Sequence, residues 1–159
     1  VAPALLGGFT IAADRVTSVD TALPLVACLP EIAVSTRDAR EVVPDEASMA
    51  DLVDTVGRAA TLVAGVCRSD PDLVGAGMGG GVVTPARAAL ITGYEAVGEA
   101  ATAAGATGVT VSGAGPSVLA ACRRGDRRAV AAAMLDAFAD AGIEARAYQT
   151  EVGRGATLY

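Results

Sequence analysis

The chain has 159 residues, 52% of them hydrophobic but only 3% aromatic, and carries a net charge of −6. That is enough chain for one ordinary domain with a sizeable core, built from Ala, Val and Leu rather than from rings. All twelve basic residues are Arg, and His, Lys, Asn and Trp are absent. The acidic balance leaves no basic stripe to neutralise phosphates, which argues against nucleic acid as a partner. Without His there is no imidazole base and no Ser-His-Asp or Cys-His set. Cys28, Cys67 and Cys122 are far apart in sequence and form no zinc pattern; all three read as reduced core thiols. No long uncharged apolar run is present and no basic-then-apolar leader opens the sequence, so no membrane role and a cytoplasmic location are expected. Arg-only, Ala- and Val-rich, acidic usage suits a GC-rich genome or a high-salt cytoplasm.

In chain order, residues 3–6 read as the last turns of a helix stopped by Gly7-Gly8, and residues 9–13 as a strand. The apolar start at Val1 suggests a fragment that begins inside a larger fold. Residues 14–20 are polar and turn-like. Residues 25–29 form a nearly continuous apolar run, a buried strand, with residues 32–34 as a possible extension beyond Pro30-Glu31. Ser35-Thr-Arg-Asp38 has the form of a helix start, with the helix ending before Pro44. Residues 45–48 open a long helix whose broad apolar face includes Met49, Leu52, Val53, Val56, Leu62, Val63 and Val66. Ser69-Asp70-Pro71 starts another helix, with Pro at its first position, and it runs out in the glycine turn 77–81.

Val82-Val-Thr-Pro-Ala-Arg87 is a further helix start, for a helix over 85–104. Gly93 and Gly98 lie inside it, each costing roughly 1 kcal/mol against Ala, and they weaken its continuity. Then comes Gly108-Val-Thr-Val-Ser-Gly-Ala-Gly-Pro-Ser-Val-Leu-Ala-Ala-Cys122, which reads as strand, tight glycine loop, strand. Within it Ser112, Gly113, Ala114, Gly115 and Ser117 offer hydroxyls and approachable backbone N–H groups, a concavity suited to an anion, or a plain glycine hairpin. An Ala-rich helix follows Gly125-Asp126 and ends at Gly142; residues 144–150 and 156–159 read as the last strands. The alternation of strands and long helices favours an α+β fold, with helices on one face of a mostly antiparallel sheet.

Five blocks carry a family resemblance. They are Ala2-Pro-Ala-Leu-Leu-Gly-Gly-Phe-Thr10, Val34-Ser-Thr-Arg-Asp-Ala-Arg40 with Pro44, Val83-Thr-Pro-Ala-Arg87, Gly108-Val-Thr-Val-Ser-Gly-Ala-Gly-Pro-Ser117 and Thr150-Glu-Val-Gly-Arg-Gly155. In this order and spacing they resemble the homoserine kinases of the GHMP kinase superfamily, in an archaeal, halophile-like form, over essentially the whole chain. The resemblance implies the C-terminal part of such a kinase. Residues 1–22 would be the tail of the nucleotide domain, of the ribosomal S5 domain 2-like type, and residues 23–159 a ferredoxin-like C-terminal domain.

The reaction implied is ATP-dependent phosphorylation of the L-homoserine hydroxyl to O-phospho-L-homoserine, in threonine biosynthesis. ATP and Mg2+ would be the cofactors, with the phosphate loop and magnesium ligands upstream of this sequence. The chain alone is then expected to be inactive, with no catalytic residue and no metal ligand of its own. The same resemblance carries substrate contact onto Thr36, Arg40 and Arg87, and lining of the site onto Ser112, Gly113, Ala114, Gly115 and Ser117. A buried carboxylate calls for the planar fork of Arg, which fits two of these positions. The glycine-rich 77–81 turn departs from the family pattern and leaves the approach to Arg87 loose.

Two other functions compete. One is a GHMP kinase for another small alcohol, of the shikimate or mevalonate type. The other is a non-catalytic ferredoxin-like module that binds an amino acid and regulates a partner. The apolar helices also permit a homodimer.

Overall fold

The computed structural model describes residues 2–157. A short helix, Ala2–Leu6 (α1), leads into an antiparallel ribbon of Phe9–Ala12 (β1) and Val16–Val19 (β2), with Phe9 opposite Val19. The polar stretch expected as a turn is therefore half strand. Val16-Thr17-Ser18-Val19 is short and β-branched, and β1 supplies the hydrogen-bonding edge that decides its conformation.

The main sheet has four strands: Pro24–Pro30 (β3), Ala106–Val111 (β4), Val118–Cys122 (β5) and Ala145–Glu151 (β6). Their spatial order is β4-β5-β3-β6, and every neighbouring pair is antiparallel. Between β3 and β4 run Asp38–Glu41 (α2), Met49–Arg68 (α3), Pro71–Gly77 (α4), Val83–Ala88 (α5) and Tyr94–Ala103 (α6); Arg127–Asp140 (α7) joins β5 to β6. Strand, helices, strand, strand, helix, strand in this spatial order is the ferredoxin-like arrangement. β3 stops at Pro30, so residues 32–34 do not extend it. Residues 156–157 are not strand either, and Leu158 and Tyr159 of that expected element lie outside the described residues. The chain there is held by Arg154 pairing with Gly7 and by Ala156 N–H donating to the Ala4 carbonyl.

The helix starts follow local chemistry. Ser35 Oγ accepts from Asp38 N–H at 3.0 Å. Ser48 and Asp51 form a reciprocal capping box at the start of α3. Asp70 accepts from the N–H groups of Asp72 and Leu73 at the start of α4, with Pro71 in the first turn. The helix expected over 85–104 is broken in two. α5 stops at Ala88, and Gly93 takes φ +82, a left-handed conformation that favours glycine, where the chain turns into α6.

Alternation along the strands sends side chains to two cores. Ala120 and Cys122 join Val26, Cys28, Met134 and Phe138 under α6 and α7, while Ala121 faces Val66 and Val74. The helices expected on one face are α6 and α7. The other face is not bare: it carries α4, backed by α3. Two glycines make that second contact close. A Cβ on Gly75 would lie 1.8 Å from the Thr107 carbonyl oxygen, and one on Gly108 would lie 2.5 Å from Gly75 Cα. Cys28 and Cys122 are core thiols as expected, but Cys67 is exposed on α3. The apolar face of α3 also divides: Val66 is buried, whereas Met49, Leu52, Val53 and Val56 stand in solvent. The first half of α3 meets the glycine turn through Asp54 and Arg58, and its apolar side is left exposed.

Candidate functional site

Arg87, near the end of α5, is half-buried. Its Nε donates to the Ala39 carbonyl at 3.0 Å, and its Nη1 donates to the Gly113 carbonyl at 2.9 Å. One guanidinium thus ties α2 to the loop between β4 and β5. Ala39 is itself fully buried, so its carbonyl is a fixed acceptor. The bridge places three of the singled-out stretches side by side, although Ala39 and Arg87 are 48 residues apart in the chain.

Arg40 follows Ala39 and is exposed; its guanidinium makes no ion pair or hydrogen bond among the described residues. Thr36 is exposed at the entry to α2. Ser112 and Ser117 close the loop, with Ser112 N–H donating to the Ser117 carbonyl at 2.7 Å and Gly115 N–H to the Ser112 carbonyl at 3.0 Å. Gly113 and Gly115 have φ +60 and +86. The N–H groups of Gly113, Ala114 and Ser117 have no acceptor among the described residues. Beside Gly113 the space a Cβ would take is empty to 4 Å, so an incoming group meets backbone there.

The loop is held from beneath as well. Thr84 Oγ1 and Thr110 Oγ1 share a hydrogen bond of 3.3 Å between α5 and β4, just under the loop. Sequence reading missed Thr84 and Thr110, Ala39 as an acceptor, and the brace on the glycine turn. In that brace Asp54 accepts from Gly81 N–H at 3.2 Å and from Arg58, while Arg58 donates to the Ala76 carbonyl at 3.3 Å. The turn is glycine-rich because α3 lies against it: a Cβ on Gly80 would meet the Arg58 guanidinium at 2.1 Å, and one on Gly77 would meet Leu62 at 2.5 Å. The expected looseness near Arg87 is therefore replaced by a close-packed, hydrogen-bonded turn. No local signal announces this, because the partners are 27 residues apart.

Titratable groups with shifted behaviour lie away from this loop. Burial pushes the Cys28 thiol from 9.0 up to about 11, and burial, then the Asp126 charge, raises that of Cys122. Burial also raises the Tyr94 phenol. Hydrogen bonds from Ser48 hold the Asp51 carboxyl below its usual range. Among the described residues no group of three His, Cys, Asp or Glu is placed to hold a metal ion, and no helix is long and apolar enough to cross a membrane.

A ferredoxin-like sheet with a glycine hairpin at one end, roofed by an Arg-anchored helix, is the architecture of a family. Residues 62–140 match the family described as GHMP kinases C terminal, and the chain belongs to the GHMP kinases as their C-terminal part. Within that family it is similar to homoserine kinases. The homoserine kinase of Halorubrum lacusprofundi is 69% identical over 159 residues, 99% of this chain and 54% of that protein. The homoserine kinase of Haloquadratum walsbyi is 70% identical over 160 residues, 100% of this chain and 55% of that protein. The solved structure of homoserine kinase from Cytophaga hutchinsonii superposes with a TM-score of 0.88 at 32% identity, over 97% of this chain and 51% of that one. The chain spans about half the length of the curated relatives it matches.

Proposed function

We propose that this chain is the C-terminal part of a homoserine kinase, which transfers the γ-phosphoryl group of ATP to the side-chain hydroxyl of L-homoserine and yields O-phospho-L-homoserine for threonine biosynthesis in the cytoplasm. The observation that carries the reading is the Arg87 bridge, which sets the Thr36–Arg40 stretch beside the glycine loop. The identity to named homoserine kinases supports the substrate. Residues 1–22, with their separate two-stranded ribbon, would be the tail of the nucleotide domain, and residues 23–159 the C-terminal domain.

In this reading Arg40 and Arg87 receive the amino-acid carboxylate. A guanidinium has five N–H donors; Arg87 has engaged one on Nε and one on Nη1, and its Nη2 pair has no acceptor among the described residues. Thr36 offers a hydroxyl contact. The unpaired N–H groups of Gly113, Ala114 and Ser117 face the charge that builds up on the transferred group. Phosphoryl transfer depends on positioning and charge neutralisation more than on covalent help. The homoserine oxygen forms a bond to the γ-phosphorus, the bond from phosphorus to the ADP oxygen breaks, and the hydroxyl proton leaves to solvent. ATP fits the open backbone donors only in part. Mg2+ finds no ligand set among the described residues. On this reading the chain by itself does not turn over ATP.

Fusing the chain behind the upstream part of the Halorubrum lacusprofundi kinase and assaying ADP release with homoserine, mevalonate and shikimate tests the substrate. Homoserine is expected to be preferred, and a better rate with either other alcohol overturns the assignment. Robust ATP turnover by the isolated chain would overturn its inactivity. Tight, unaided binding of homoserine or threonine by the isolated chain, measured by calorimetry, favours an amino-acid-binding regulator instead.

A further inference from the structure

α5 carries Arg87 but does little to hold itself in place. It has six residues, Val83–Ala88, and no side chain caps its start. Isolated helices shorter than about 12 residues are marginal in water, so the neighbours of α5 decide where it lies. It is pinned at three points. Arg87 ties its end to the carbonyls of Ala39 and Gly113. Thr84 Oγ1 meets Thr110 Oγ1 of β4 at 3.3 Å. The start is pinned from α3, where Asp54 Oδ2 accepts from Gly81 N–H, just ahead of α5, at 3.2 Å. Asp54 is steadied in turn. Arg58 Nε donates to its Oδ1 and Oδ2 at 3.0 and 2.8 Å, and Arg58 Nη1 reaches the Ala76 carbonyl. Gly81 permits the approach: it has φ +72, and a Cβ there would lie 2.8 Å from Thr55 Oγ1.

We propose that Asp54 is a positioning residue for the substrate site: acting through Gly81 and α5, it sets where Arg87 presents its remaining N–H groups to the substrate carboxylate. This rests on the reading of Arg87 as the receptor of that carboxylate. Asp54 and Arg58 are half exposed, and as a surface ion pair they add little stability. What the pair does is aim a carboxylate at one main-chain N–H, and such charge-assisted bonds are roughly twice as strong as neutral ones. A helix of six residues passes a displacement at its start to its end. At a binding group, misplacement by about 1 Å can cost on the order of a hundredfold. Asp54 touches neither Arg87 nor the glycine loop, so its effect is felt only through the backbone between them.

Steady-state kinetics of the fused enzyme test this. Asp54→Ala should raise KM for homoserine about tenfold, while kcat and KM for ATP move less than about twofold, the mark of lost substrate binding. Alanine is the better helix former and the position is half exposed, so this variant keeps its fold. Asp54→Asn retains a carbonyl oxygen for Gly81 N–H and should bring KM most of the way back. Ser48→Ala loosens the same helix at its start, away from the turn, and should leave KM unchanged. Asp54→Ala combined with Arg87→Lys should raise KM by less than the product of the two single effects, because one residue acts through the other. A normal KM in Asp54→Ala beside a raised KM in Arg87→Lys overturns the role of Asp54 and leaves the carboxylate reading of Arg87 standing. A normal KM in both removes that reading and this role with it. An Asn variant as impaired as the Ala variant, a Ser48→Ala effect of the same size, or effects that multiply in full would each overturn the proposal as well.

Discussion

Arg87→Met is the most informative single change. Methionine keeps most of the length and apolar bulk of the side chain but has no donor for the carbonyls of Ala39 and Gly113, which Arg87 meets at 3.0 and 2.9 Å. A hydrogen bond from a charged donor is worth about 1.5–3 kcal/mol. The bond to Gly113 is solvent-exposed and falls to the low end or below it, whereas the bond to Ala39 is partly buried. Together they contribute about 2–3 kcal/mol. For a chain of this size each kcal/mol shifts the melting temperature by roughly 2–4 °C, so a loss of about 4–12 °C is expected. Arg87→Lys should lie between the two, since a single ammonium reaches one carbonyl more easily than both. Thermal unfolding followed by far-UV circular dichroism, at several salt concentrations, measures it. A change under about 1 °C in Arg87→Met would show that the bridge does not hold α2 to the loop, and the arrangement proposed for the substrate would fail with it. In the fused, active enzyme Arg87→Lys should raise KM for homoserine more than it lowers kcat.

Gly75→Ala forces its Cβ into the Thr107 carbonyl at 1.8 Å, backbone against backbone, and should cost about 3 kcal/mol or prevent folding, as read by urea denaturation. Ser48→Ala removes the capping box of α3 and should cost about 1 kcal/mol by the same measurement. The Asp51 carboxyl in that box is held low when folded, so its contribution is present above the ordinary carboxylate range and lost as pH falls through its folded value. The acid limb of a stability–pH curve should therefore be shallower in Ser48→Ala. Cys28 favours its protonated form when folded, so stability should decline between about pH 9 and 11 as the unfolded thiol ionises first. At pH 8 a thiol reagent should titrate Cys67 in the native chain and all three cysteines only after unfolding.

The parts of the fold that sequence foretold are those fixed by neighbours in the chain. The 45–48 opening of α3, Asp70 with Pro71, and the run 108–122 each carry their own signal, and each leads into the element it predicts. The break at Gly93 was half legible, because the glycine weakened the helix without saying where the path would turn. β2 was not legible, since four residues of mixed polarity become strand only where β1 offers them an edge. The second helical layer escaped for a similar reason. It depends on Gly75 of α4 meeting Gly108 of β4 on that face of the sheet, and nothing near either residue marks them as partners.

The candidate site shows the same division. Its residue types were readable, but what ties them together was not. Arg87 was expected to hold a ligand, and two of its donors are given instead to main-chain carbonyls. That is the stronger arrangement for a carboxylate site. A free guanidinium on a long stem loses rotamer entropy when it binds, of the order of 2 kcal/mol. One clamped by two carbonyls has already lost it, and presents its remaining N–H groups in a fixed plane. The clamp also sets that positive charge beside the unpaired N–H groups of Gly113 and Ala114, in a chain whose net charge is −6. Screening by salt confines that charge to contact range, since the Debye length shrinks to about 3 Å at 1 M salt. In the fused enzyme the KM for homoserine should therefore change little between moderate and molar salt. At that range only direct contact survives, and clamped donors in contact keep their geometry. A KM that climbs steeply with salt would mean long-range attraction instead, and would take the carboxylate away from Arg87.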